Sequence, residues 1–537
     1  MMSRRSAVVA FGASLATPAS AAPRKKTETQ STVAETSRGR VRGLVNEGIR
    51  VFRGIPYGAS TEGTNRFRAA KPPAAWTGIR DAIAYGASCP QLTRARPSYA
   101  ASWANEQSQS EDCLALNIWT PALRDHHRRP VMVWIHGGGF STGSGSSPVY
   151  DGTNLARKGD VVVVTVNHRL NVFGHLYLAR LGGVDYAESG NLGVLDLVTA
   201  LRWIHTNIAE FGGDPANVTI FGQSGGGAKI STLMAMAQTR GLFHRAIVQS
   251  GSHLDGLTPE EATAHAMTFL KAVELPPNDL PRLQKLPVDQ VLAALRKIMR
   301  GPGQRPNFSP VVDGRFLPRA PWTPDGPAGS ASVPMMIGTT KTETTALLGD
   351  SDPALFSLDD NGLRANLAAW LPAGEINRVI AGYRRAMPEA SPSDLFFAIT
   401  TARRVRQQAW AQAERKAAQN AGAVWLYELD WQTPVDGGKW KSPHSLDLAF
   451  VFDNVTKSES MVGTGEAPRA LAAQMSAAWI AFARAGNPNT KTLPQWDAFQ
   501  VPKRATIVFD VKSHVVNDYR AEERQLLAAL PLARVSR

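Results

Sequence analysis

Val218-Thr219-Ile220-Phe221-Gly222-Gln223-Ser224-Gly225-Gly226-Gly227 runs from a β-favouring stretch into a G-x-S-x-G turn, and residues 228–236 continue it with a helical pattern. A strand that passes within a few residues into a helix is the junction of a helix-covered sheet. A serine at its apex needs glycine two places before and two places after it, because a Cβ there would meet the neighbouring strand and helix. The helix N-terminus behind the turn favours negative charge developing beside the serine. G-x-S-x-G alone recurs in glycine-rich loops; the strand before it and the helix after it make Ser224 a candidate nucleophile.

On either side of this turn, residues 131–135, 161–166 and 246–249 are short β-rich runs, and 193–211 has helical periodicity. This alternation predicts the α/β class with a central, mostly parallel sheet. Residues 40–46 and 49–52 flank a Glu47-Gly48 turn and predict an N-terminal hairpin. Beyond Ser250 the chain becomes helical and proline-rich, with helical patterns at 259–274, 288–299 and 398–421 and a strand at 333–338 between them. The stretches 253–330 and 350–420 are thus expected to be helical cap insertions over a pocket. A last core strand at 423–431, a helix at 467–485 and a late strand at 506–511 follow. With no internal repeat or low-complexity linker, residues 38–530 are expected to form a single domain.

The 537 residues are 43% hydrophobic and 19% charged, enough apolar material for a large core and too little charge for a disordered chain. The net charge of +14 is spread without a basic helix face interleaved with aromatics, so nucleic-acid binding is not expected. Arg4-Arg5, an apolar stretch at 7–15 and Ala19-Ser20-Ala21 predict a cleaved export signal over 1–21, with the paired arginines pointing to a twin-arginine route. A flexible N-terminus over 22–37 and a secreted or periplasmic location follow as expectations. No apolar run reaches membrane-spanning length, so no membrane span is expected. Cys89 and Cys113 are the two cysteines, and in an exported chain they are expected to pair as a disulfide that fixes the segment holding Trp103 and Asp112.

Acyl transfer needs donors for a tetrahedral oxyanion. His136-Gly137-Gly138-Gly139-Phe140 directly follows the strand at 130–135, which assigns the oxyanion hole to the N–H groups of Gly138, Gly139 and Gly225. The chain order serine, acid, histidine leaves His444 and His514 as candidate bases. For the acid, Glu343 stands just after the strand at 333–338, where a strand-end loop reaches the carboxyl edge of the sheet. Asp313, in Pro310-Val311-Val312-Asp313-Gly314, competes from a turn-like setting. From the residues alone, His444 and Glu343 rank first and both alternatives stay open. Neither HExxH, paired CxxC nor a phosphate-binding loop is present, so no metal or organic cofactor is expected.

Further segments extend the pattern: Phe211-Gly212-Gly213-Asp214-Pro215-Ala216-Asn217 ahead of Ser224, Ser110-Glu111-Asp112-Cys113-Leu114 with Leu116-Asn117, Phe52-Arg53-Gly54-Ile55-Pro56-Tyr57, Phe243-His244-Arg245-Ala246-Ile247 with Gln249-Ser250-Gly251, and 479–489. Together they resemble the type-B carboxylesterase and cholinesterase family of α/β-hydrolases over about 40–510. Gly338 and Glu343 reproduce that family's G-x-x-x-x-E. His444, Asp447 and Phe450-Val451-Phe452 reproduce its H-x-x-D-L with a following aromatic-Val-Phe. The resemblance implies the α/β-hydrolase fold, a Ser224–Glu343–His444 triad, a small-molecule ester as substrate, hydrolysis through an acyl-enzyme, and a Cys89–Cys113 bridge. The departures are Ala115 in place of a usual aromatic, and His168 and Asn171 where a Tyr and a Gly are usual.

Amide or lactone hydrolysis by the same triad is the alternative activity. A non-catalytic binding module is the rival from another class, but such relatives typically lack a triad member. Phe140, Trp103 and Gln223 are expected at the substrate pocket. Trp103 precedes Cys113 at a spacing similar to that of the cation-stacking tryptophan of cholinesterases, yet neutral Gln223 stands where those enzymes have a glutamate. Neutral short-chain or aryl esters are therefore expected to be preferred over choline esters.

Overall fold

Val162–Val166 is buried at every position, as suits a strand covered on both faces. The computed structural model, which describes residues 31–93, 98–103, 107–300 and 305–533, places it inside one large sheet. The strands are β1 (Ser31–Thr36), β2 (Gly39–Asn46), β3 (Ile49–Pro56), β4 (Ile79–Asp81), β5 (Ala115–Thr120), β6 (Arg129–Ile135), β7 (Val162–Val166), β8 (Gly213–Gln223), β9 (Arg245–Gln249), β10 (Met335–Thr340), β11 (Val424–Leu429), β12 (Thr506–Phe509) and β13 (His514–Val516). Their order is β1-β2-β3-β5-β7-β6-β8-β9-β10-β11-β12-β13, with β4 on β2. From β7 to β12 along that path every pairing is parallel, and antiparallel strands extend both ends. The expected class and mostly parallel sheet are present.

Alternate side chains along β6 divide the core. Val131, Val133 and Ile135 join one cluster with Leu197 and Leu201 of the helix Leu192–Asn207 and with Ile230 and Leu233 of the helix Gly225–Leu233. Met132 and Trp134 join another with Met475, Trp479 and Phe482 of the helix Glu466–Ala485. Period-two alternation thus places helices on both faces of the sheet. Each large apolar side chain buried this way contributes about 1.5–3 kcal/mol relative to exposure.

The N-terminal hairpin forms where expected: Asn46 pairs with Ile49, and the positive φ of Glu47 (49°) and Gly48 (80°) closes a two-residue turn. Residues 31–36, expected within a flexible segment, instead form β1 against β2, with Ala34 fully buried. Their polar composition hides this, because an edge strand is held chiefly by ladder hydrogen bonds. The expected export signal lies outside the described residues.

Among the helices of 350–420, Asp360–Leu367, Ile376–Ala386 and Pro392–Thr401 bury a cluster of their own around Leu363, Val379, Tyr383 and Leu395. Pro392–Thr401 continues through a π-helical turn, Ala402–Arg406, into the helix Gln407–Ala417. Among the described residues, no helix is long and apolar enough to cross a membrane.

Candidate active site

β8 delivers Ser224 at the carboxyl edge of the sheet, where ligands of open α/β sheets bind. Its backbone (φ 57°, ψ −127°) is in a region that a non-glycine residue adopts at a cost of about 1–3 kcal/mol, and the Ser224 N–H donates to Gln249 O at 2.7 Å to hold it there. The surrounding glycines are required sterically. A Cβ on Gly222 would lie 2.6 Å from Ile135 O, one on Gly226 would fall on the same carbonyl, and one on Gly225 would fall on the backbone of Gly139. The helix Gly225–Leu233 can therefore start directly behind Ser224.

Glu343 follows β10 and His444 follows β11, so the same sheet edge gathers both. Glu343 is fully buried; its Oε1 accepts the Thr340 N–H at 2.7 Å and its Oε2 stands 2.5 Å from His444 Nδ1. That contact draws the ring proton to Nδ1 and leaves Nε2 as the acceptor. Gln223 Nε2 lies 3.1 Å from His444 Nε2, while Gln223 Oε1 accepts from Ser445 Oγ at 3.0 Å. Asp447, three residues beyond His444, is fully buried between Gln249 Nε2 (2.8 Å) and Tyr427 Oη (3.1 Å), and burial pushes its carboxyl up to about 6.

The alternatives from the sequence are placed elsewhere. Asp313 Oδ1 accepts the N–H groups of Arg315, Phe316 and Leu317 at 2.8–3.0 Å and its Oδ2 accepts from Asn191, which is the role of a turn residue. His514 is exposed on the edge strand β13.

Gly138 (φ 88°) and Gly139 (φ 62°) take left-handed conformations beside the serine, and among the described residues no protein acceptor is bonded to the N–H groups of Gly138, Gly139 or Gly225. Ser224, His444 and these glycines open on a cavity of about 650 Å3 that Phe140, Trp103 and Gln223 also line. Trp103 is buried, with its Nε1 donating to Ser458 Oγ at 3.1 Å. A smaller cleft of about 460 Å3, between Met234 and Val333, holds none of these residues.

One expectation is corrected. Cys89 and Cys113 are free thiols in the structure, not a disulfide. Both are buried side by side, Cys89 Sγ accepts the Leu170 N–H at 3.2 Å, and the hydrogen bond with Cys89, then burial, raises the Cys113 pKa well above its ordinary value. Packing and hydrogen bonding thus hold this segment without a bridge. The family departures are accommodated too. Asn171 has φ 45°, a left-handed conformation that suits glycine and that asparagine tolerates, and its amide donates to Pro90 O at 2.9 Å. His168 stacks on His136 with ring centroids 4.6 Å apart.

Two charged residues escaped the sequence reading. Lys229, one turn into the helix Gly225–Leu233, is fully buried; its Nζ donates to His136 O at 3.0 Å, and burial brings its pKa down to about 7. Burial, then the Lys229 charge, lowers His136 to about 3. Arg404, on the π-helical turn, lines the cavity. The run Arg403-Arg404-Val405-Arg406 inside a helical insertion was the available signal. Among the described residues, no cluster of three or more His, Cys, Asp or Glu is placed to hold a metal ion.

The Carboxylesterase family model matches residues 30–527. Para-nitrobenzyl esterase of Bacillus subtilis (strain 168) is 35% identical over 508 residues, covering 92% of this chain and 98% of the relative. Phenmedipham hydrolase of Pseudarthrobacter oxydans is 34% identical, covering 89% and 94%. The crystal structure of the Geobacillus stearothermophilus carboxylesterase EST55 superposes with a TM-score of 0.80 at 40% identity, covering 92% of this chain and 99% of that one. A serine at a strained strand–helix turn, a buried carboxylate on a histidine and a match along nearly the whole length converge: the chain belongs to the carboxylesterase family and is a serine hydrolase of carboxylic esters.

Proposed function

We propose that Ser224, His444 and Glu343 form the catalytic triad and that the reaction passes through an acyl-enzyme at Ser224. Ser224 Oγ attacks the ester carbonyl while His444 Nε2 takes its proton. The alcohol leaves with that proton, and a water activated by the same imidazole releases the acid. Glu343 holds the ring tautomer, and the N–H groups of Gly138, Gly139 and Gly225 take the oxyanion. The observation that carries this reading is the 2.5 Å Glu343–His444 contact at the wall of the cavity that Ser224 opens on. Entry of substrate exchanges the Gln223 contact on His444 Nε2 for Ser224 Oγ. Catalytic hydrogen bonds of this kind commonly tighten only in the complex.

The insertions 253–330 and 350–420 act as the cap, since Leu254, Ser309, Val405 and Gln408 line the cavity. Relatives named for para-nitrobenzyl esters and for phenmedipham support substrates with aromatic groups. Export rests on Arg4-Arg5, the apolar stretch after them and the Ala19-Ser20-Ala21 site. Exported material is expected to begin near Ala22, and a periplasmic or secreted chain retaining Met1 would refute cleavage.

Peptide mapping after reaction with a radiolabelled organophosphate tests the central step. Stoichiometric label on Ser224 with complete loss of ester hydrolysis is expected, and label on another serine overturns the assignment. Matched esters and amides on the same preparation are expected to show ester turnover far in excess. Equal turnover would favour the amidase alternative.

A further inference from the structure

We propose that Arg404 is a recognition site for a carboxylate carried by the ester substrate. This deepens the proposed function and rests on Ser224 acting in the same cavity.

The π-helical turn Ala402–Arg406 carries three arginines whose surroundings differ. Arg403 donates from Nη1 to Gln407 Oε1 at 2.7 Å and from Nη2 to Pro531 O at 2.9 Å. Arg406 is fully engaged with Glu428 Oε2 at 3.0 Å, Glu523 Oε1 at 2.7 Å and Lys341 O at 2.9 Å, and those carboxylates keep its pKa above the ordinary value despite burial. The Arg404 side chain makes no hydrogen bond or ion pair among the described residues, although it is half-buried in the wall of the cavity that holds Ser224 and His444. Burial alone lowers its pKa, with no neighbouring carboxylate to offset it.

A guanidinium has five N–H donors in a fixed plane and stays protonated; half-buried in the cavity wall, Arg404 has lost part of its water and gained no protein acceptor in exchange. The partner that restores those bonds bidentately is a planar carboxylate. The cavity's acidic groups do not fill this role. Asp255 acts on His253, and Glu261 belongs to the capping box of the helix Pro259–Ala272, both on the opposite insertion. Helix turns of the π type recur at functional sites, and this one sets a single arginine of three free toward the substrate. The net charge of +14 adds long-range attraction for anions. The substrate class that fits is an ester bearing a free carboxylate, either a half-ester of a dicarboxylic acid or an ester of a hydroxy acid.

Two substrate pairs separate these sources. Monoethyl succinate against ethyl succinamate places the carboxylate or its uncharged isostere on the acyl side; acetoxyacetate against acetoxyacetamide places it on the alcohol side. The full-length mature enzyme is expected to favour the carboxylate member of one pair by about tenfold or more in kcat/KM. That ratio is expected to fall to about one in Arg404→Gln and below one in Arg404→Glu. A wild-type ratio at or below one in both pairs, or a ratio unchanged by Arg404→Gln, overturns the proposal. Inhibition of neutral-ester turnover by glutarate but not glutaramide gives the same reading without a variant, and equal inhibition counts against it. Organophosphate-sensitive turnover of the amide-bearing esters keeps the Ser224 reading standing if the carboxylate preference alone fails.

Discussion

Glu343 spends one carboxylate oxygen on the Thr340 N–H and the other on the His444 ring, so it both anchors itself and sets the tautomer. Glu343→Gln keeps the volume but can present an amide N–H to Nδ1, which favours the wrong tautomer. A fall in kcat of about 10^3–10^4 with unchanged circular dichroism is expected, and an undiminished rate would remove Glu343 from the triad. His444→Ala is expected to be about as damaging as Ser224→Ala, while His514→Ala stays near wild type; the opposite ranking in kcat would move the base to His514. Lys229 offers a test by pH. In the unfolded chain it titrates near 10.5, and in the folded protein burial brings it to about 7, so between those values the unfolded state holds the extra proton. Stability therefore rises with pH across that window, by up to about 1.4 kcal/mol per unit, and this contribution is flat below pH 7. Denaturant titrations at pH 6.5, 8 and 9.5 should show wild type gaining on Lys229→Met as pH rises, and a constant difference would contradict the lowered pKa of Lys229.

At the level of elements, the turn at Ser224 is tight because β6, β8 and the helix Gly225–Leu233 approach until only hydrogen fits between them. Gly226→Ala drives a methyl onto Ile135 O, whereas Gly374 has nothing within 4 Å of its Cβ position. The first substitution is expected to cost about 1–3 kcal/mol and lower Tm by about 1–3 °C, with Gly374→Ala near neutral. Equal Tm values for the two would mean the turn has slack. The loop from Cys89 to Cys113 is held by packing, with both thiols buried. A bulky maleimide is expected to leave the native protein unmodified and to add two labels after denaturation, as read by intact mass. An absence of label after denaturation would show a bridge.

Across the whole molecule, charge bears on which esters enter. The excess of 59 Lys and Arg over 45 Asp and Glu, the neutral Gln223 beside Ser224, and the unpaired Arg404 in the cavity all disfavour a quaternary ammonium. Against these stands Trp103, whose indole lines the same cavity but is pinned through Nε1 to Ser458. A choline ester is therefore expected to have a lower kcat/KM than its uncharged dimethylbutyl isostere. A choline preference of about tenfold that disappears in Trp103→Ala would reverse this conclusion.

The parallel sheet, the elbow at Ser224, the hairpin turn at Glu47-Gly48 and the glycines of 137–139 were legible in the sequence because each is a short-range backbone constraint. A strand–turn–helix junction or a two-residue turn has few chemical solutions, and they are written in adjacent residues. Choosing His444 over His514 and Glu343 over Asp313 needed the family resemblance, since either candidate satisfied the chain order. Tertiary structure alone decided what depends on partners remote in sequence: the seating of the Gln223 amide on an imidazole 221 positions away, the pairing of polar β1 into the sheet, and the free state of the thiols at Cys89 and Cys113. It also singled out Arg404. The arginines at 403, 404 and 406 look alike in the sequence, and they differ in the fold because Pro531, Glu428 and Glu523 supply acceptors to two of them and none to the third, whose desolvated charge is left facing the cavity.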